Sequence, residues 1–161
     1  MTDNEKKLKA VAGAFTGITV KELQEKLRPR YEMRNYLGLK ATIAGLEQSL
    51  SKSEYTIKSI RESIADVKER LRADLNAKVL NPHDRSRFPN QPAVVALHEK
   101  LQCLEEAERT LAEDTRRLAE AKAEEPKTLQ VCRKGCPEWA AALDAEATAE
   151  EELRKLLHES P

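Results

Sequence analysis

The chain has 161 residues, 35% charged and only 4% aromatic, so it lacks the bulk to fill a round core and has ample surface to solvate. Its 28 basic and 28 acidic side chains cancel, which leaves no overall field to draw it to nucleic acid or to a membrane. No apolar run approaches the roughly 18 residues that span a bilayer, and the charged start lacks the apolar core of a signal peptide, so the expectation is a protein made in the cytoplasm and not attached to membrane.

The charges are unevenly placed. Residues 1–40 carry nine Lys/Arg against five Asp/Glu, and residues 94–161 carry ten against sixteen, a mild dipole suited to head-to-tail contacts or to a basic end touching phosphates. At the front, Thr2, Asp3 or Asn4 caps a first helix running to about Ala14, after which Gly13 and Gly17 bracket a turn. Thr19-Val-Lys-Glu22 is a capping-box pattern and opens a second short helix to about Arg28, so residues 1–28 are predicted to be short N-terminal helices. The TVKEL start resembles the opening helix of small helix-turn-helix units, and phage packaging subunits of comparable size are similar in joining such a region to an oligomerising coil. That likeness implies a nucleic-acid-binding accessory factor using residues 19–40.

From Arg28 to Tyr36 basic residues interleave with tyrosines, a composition in which charges pair with phosphates while rings stack. Arg28, Arg30, Arg34 and Lys40 are the candidate nucleic-acid contacts. The competing reading makes Tyr31, Met33 and Tyr36 packing residues at the base of a longer structure.

That longer structure is a heptad ladder. Tyr36, Leu39, Ile43, Leu46, Leu50, Ser53, Ile57, Ile60, Ile64, Val67 and Leu71 fall at alternating spacings of three and four. A sustained repeat of about 3.5 residues keeps one stripe facing a partner helix only if the helices supercoil. A second ladder runs through Val94, Leu97, Leu101, Leu104, Leu111 and Leu118, with Glu108 and Thr115 breaking its weaker row. The two predict an all-α fold: a long antiparallel coiled-coil helical hairpin over 29–125, preceded by the short helices and followed by a linker and C-terminal amphipathic helix over 126–161. Setting Ser53 against Thr115 pairs a polar step with a polar step and fixes a register in which facing residue numbers add to about 168. Thr42, Ser49, Thr56 and Ser63 flank the first ladder and alanines flank the second, widening both faces toward further helices and predicting self-association.

Residues 81–92 join the arms and contain three prolines, more chain than closure requires. Arg85, Arg87 and Phe88 are candidate tip contacts. The second long helix is expected to start at Pro92 and end before Pro126, and Pro137 to open a last helix with Trp139, Leu143 and Leu153 on its apolar side.

Cys132 and Cys136 stand at a spacing that suits a local disulfide, but half a zinc site without a second pair does not make a metal centre. No cofactor or metal is expected. A glycine-rich phosphate loop, an HExxH pair and a catalytic triad pattern are all missing, so an enzyme is the least favoured class. The sequence therefore points to a structural or adaptor protein whose partners are further copies of itself or other protein subunits of an assembly, with a phage virion as the concrete case. Nucleic acid is the alternative partner.

Overall fold

The computed structural model describes residues 1–16, 19–80 and 91–159. Its elements are five helices: α1 (Asp3–Ala14), α2 (Val20–Leu27), α3 (Tyr31–Leu80), α4 (Gln91–Gly135) and α5 (Pro137–Glu159), with no strand among the described residues. The fold is all-α. Both short helices start on capping boxes. The Glu5 amide donates to Thr2 Oγ1 at 3.3 Å while Glu5 Oε2 accepts from the Thr2 amide at 2.7 Å. Thr19 and Glu22 repeat the exchange at 3.2 Å each way. Gly13 lies inside α1, not in a turn, and Gly17 is outside the described residues.

The chain forms two compact units, Met1–Ala41 with Lys122–Pro161, and Thr42–Ala121. In the first, α1 and α2 pack on α5. Leu8 and Val11 of α1 meet Ala149, Leu153 and Leu156 of α5. The amide of Val20 donates to Glu146 Oε1 at 2.9 Å, which ties the start of α2 to α5. At the centre, Met33 from α3, Cys132 from α4, Cys136 and Trp139 are buried together, with Leu23, Leu27 and Leu143 around them. Met33 and Trp139 thus belong to a core and not to a surface.

Pro126 does not end the second long helix; it sits within α4. An interior proline removes one backbone bond and crowds the preceding turn, costing about 3 kcal/mol. Leu129, Cys132 and Cys136 lie beyond it and are packed in the core, and burying side chains of this kind contributes roughly 1.5–3 kcal/mol each. Packing outweighs propensity. The helix stops at Gly135, where a Cβ would come within 2.6 Å of Glu32 Cγ, so only glycine lets α3 approach this closely.

In the second unit α3 and α4 pack closely. On α3, Ile43, Leu46, Ile57, Ile64 and Val67 are buried and Leu50, Ser53, Ile60 and Leu71 half-buried, the same ladder that the sequence shows. Leu39 is half-buried in the first unit. On α4 the leucines at 97, 104, 111 and 118 are half-buried, but their companion row differs from the expected one. Leu101 is 45% exposed and Val94 40%; the inward row is Ala93, Lys100, Ala107, Asp114 and Ala121, one residue earlier. The register moves with it. Ser49 Oγ donates to Asp114 Oδ2 at 2.9 Å and Lys100 Nζ to Ser63 Oγ, so facing numbers add to 163, and Ser53 does not meet Thr115. The Thr115 hydroxyl instead donates to the Leu111 carbonyl at 2.7 Å, one turn back on its own helix.

The physical reason is volume and polarity together. The α3 row that includes Leu50, Ile57 and Ile64 is bulky, and small or flexible residues opposite it fill the space without overpacking. Asp114 is buried and needs a donor, which Ser49 supplies. Two of the hydroxyls expected to widen the face for a third helix are therefore already used inside this pair.

Candidate interaction site

The two cysteines of the first unit are the strongest chemical feature by residue type. Both thiols are free, so the disulfide allowed by their spacing is not formed. Cys132 donates to Met33 Sδ at 4.0 Å. Burial, reinforced by the neighbouring Cys136 and by Glu32, pushes the Cys132 thiol up to about 11. A thiol held protonated and out of solvent is a poor nucleophile and behaves as a small apolar side chain. Tyr36, its phenol also raised chiefly by burial, packs at 5.6 Å and a 55° tilt on Trp139, whose Nε1 is buried without a hydrogen-bond partner. Among the described residues no three or more His, Cys, Asp or Glu side chains are grouped to hold a metal ion. Cys103, in the second unit, is exposed.

The four candidate phosphate contacts all have intramolecular work. Arg30 Nη1 donates to the Gly135 carbonyl at 2.7 Å, satisfying the end of α4. Lys40 Nζ pairs with Glu125 Oε1 at 3.0 Å, Arg28 with Glu25 at 3.4 Å, and Arg34 lies 6.0 Å over the Tyr31 ring. Nearby, Arg133 forks onto Asp144 at 2.7 and 2.8 Å. The contacts of Arg30, Lys40 and Arg133 join separate segments, while those of Arg28 and Arg34 are local, three residues back in the chain. Arg85, Arg87 and Phe88 of the expected tip lie outside the described residues.

One flank of the second unit carries open grooves. A groove beside the seam is lined by Glu54, Ile57, Lys58, Arg61, Glu62, Ala65, Glu108 and Leu111, and a second groove on the same side by Lys68, Leu71, Arg72, Leu75 and Val94. Leu75, Val94 and Leu101 expose 47%, 40% and 45% of their surface. Leu101 was expected inside; the shift of the α4 row places it here. The bulky α3 row and the hydroxyls at 49 and 63 were the sequence signals for that shift, since together they call for small and polar partners.

Among the described residues no helix is long and apolar enough to cross a membrane. No family model, curated protein or solved structure matches the chain.

Proposed function

We propose that the chain is a non-enzymatic structural or adaptor protein, in which α3 and α4 act as an antiparallel coiled-coil hairpin and associate with further copies or other protein subunits of an assembly. A virion built after synthesis in the cytoplasm is the concrete setting. The observation that supports this best is the row Leu75, Val94 and Leu101, apolar side chains left open along a helix pair whose own seam is already filled. Leu75 and Val94 share one groove wall, and exposed apolar side chains grouped in this way fit a contact with protein. The burial of both thiols, with Cys132 held protonated, supports the non-enzymatic part of the reading, because the one nucleophile type at the centre of the first unit is out of solvent.

The nucleic-acid alternative loses support from the ion pairs and carbonyl contact that occupy Arg28, Arg30 and Lys40. Light scattering on the isolated protein, with and without duplex DNA, separates the two. A mass that is a multiple of 18.2 kDa without DNA is the expected result. A single-chain mass that rises only when DNA is added would replace this reading by the alternative.

A further inference from the structure

The buried cluster of the first unit brings three sulfurs together. Met33 comes from the first turn of α3, Cys132 from the last turn of α4, and Cys136 is the single residue that joins α4 to α5; none is more than 1% exposed. The Cys136 amide donates to the Cys132 carbonyl at 2.8 Å, so the helical turn runs on through the joint and both cysteines lie on one face. Cys132 Sγ and Met33 Sδ stand 4.0 Å apart between α4 and α3, and the Cys136 thiol is close enough to help raise that of Cys132. Sequence spacing does not disclose this set, because Met33 and Cys132 are 99 residues apart.

We infer that Met33, Cys132 and Cys136 form a binding site for one soft monovalent cation, copper(I), held by two thiolates and one thioether. The site does not depend on self-association. Thiolate and thioether sulfurs together select soft ions such as copper(I). Zinc takes four ligands from cysteine, histidine and carboxylate, so a third donor that is a thioether argues against it. With metal–sulfur bonds of about 2.3 Å, three sulfurs in a plane around one ion stand about 4.0 Å from one another. The Cys132–Met33 pair is already at that separation, and an ion at the centre of such a triangle lies in the plane of its ligands. Binding releases both thiol protons, so two thiolates and one monovalent cation leave a centre of net charge minus one. A buried charge needs donors around it. Trp139 Nε1, in the same cluster and without an acceptor, is an N–H that a thiolate sulfur can accept from, and Arg30, on the Gly135 carbonyl at 2.7 Å, brings a cation to the joint. Burial and the Glu32 carboxylate act against loss of the Cys132 proton, a cost that the metal–sulfur bonds have to exceed.

The test uses the full chain with Cys103→Ser, which leaves no cysteine outside the cluster. Copper(I) is titrated in the absence of oxygen against a coloured copper(I) chelator, and zinc(II) is then added to the loaded protein. The expected result is one copper(I) per chain, with quenching of Trp139 emission. Met33→Leu keeps most of the side-chain volume and should weaken uptake by about tenfold or more, since loss of even an outer partner of a metal costs on the order of that. Cys132→Ser and Cys136→Ser should each abolish it. Circular dichroism of the metal-free variants keeps a loss of helix from being read as a loss of ligand. A chain that takes no copper(I) from the chelator overturns the site. Uptake left unchanged by Met33→Leu, or by either serine variant, overturns the three-sulfur set, and zinc(II) that displaces the bound copper(I) overturns its selection for a soft ion.

Discussion

Met33→Ala is the most direct probe of the first unit, because a single side chain there touches everything that holds the unit's centre. Met33 is fully buried, and so are Cys132, Cys136 and Trp139 around it. None of the four borders solvent, so the only neighbours placed to relax into the space that truncation leaves are the half-buried side chains around them, Leu23, Leu27, Tyr36 and Leu143 among them. Losses for Met→Ala in cores run from about 2 to 5 kcal/mol, the larger values where the cavity stays open, and the upper half of that range is expected here. The contact with the Cys132 thiol is lost as well. Trp139 is the chain's only tryptophan, so its emission during urea titration reports this unit. With a denaturant slope of roughly 1–3 kcal/mol per molar, a loss in that upper half lowers the midpoint by about 1–5 M. Met33→Leu keeps most of the volume and should cost less than about 1.5 kcal/mol. A Met33→Ala midpoint within about 0.5 M of wild type would refute the account of this cluster as the unit's packing centre.

The buried thiol makes stability pH-dependent at the alkaline end. Its folded value lies above the unfolded one, so the unfolded chain ionises first; stability is full below about 9 and declines as pH rises toward about 11, and Cys132→Ala should flatten that slope in urea titrations at several pH values. Titration of native protein with an aromatic disulfide near pH 8 should modify Cys103 at once and Cys132 and Cys136 only after denaturant is added; three fast thiols would contradict their burial. The register is checked on a Cys103→Ser background. Cysteines replacing Ser63 and Lys100 should cross-link rapidly within one chain and those replacing Ser53 and Thr115 slowly, and the reverse order would restore the register that pairs the polar steps.

The helical class, the Thr19–Glu22 capping box and the α3 ladder are legible in the sequence because each is a local pattern with one physical reading, whereas the cap of α1, open between Thr2, Asp3 and Asn4 in the sequence, is Thr2 with Glu5. The α4 ladder is legible by half. Its leucine row is unmistakable, but a seven-residue leucine repeat admits a companion row three or four residues on, and hydrophobicity alone favours Leu101 over Lys100. Choosing correctly requires the bulk of α3 opposite and the hydroxyls ready to bond Asp114 and Lys100, which are facts about two segments at once. Pro126 misleads for a related reason: a breaker is a local penalty, and it yields to packing by Leu129 and Cys132 several residues beyond it. The core around Met33 and Trp139 draws on three distant stretches, so periodicity within any one of them does not disclose it. The partners of Arg30 and Lys40 are likewise invisible until the segments are placed, whereas those of Arg28 and Arg34 stand three residues back, and a run of cations in one dimension reads as a binding patch.

The first unit is split in the chain, and the second is the continuous stretch between its halves. In topological terms the α3–α4 pair is an insert and the unit around Trp139 its host. Because the insert consists of two helices in a seven-residue repeat, its length is a parameter that heptads can change in matched steps. Deleting residues 57–63 from α3 together with 100–106 from α4 removes facing stretches and leaves the remaining seam in phase, whereas deleting either alone forces every later contact to slip. The host keeps its own residues in both cases. A series of proteins with one host and helix pairs of graded length can therefore be drawn from this chain by paired deletion or duplication, each step altering the pair by about 10 Å at 1.5 Å per residue.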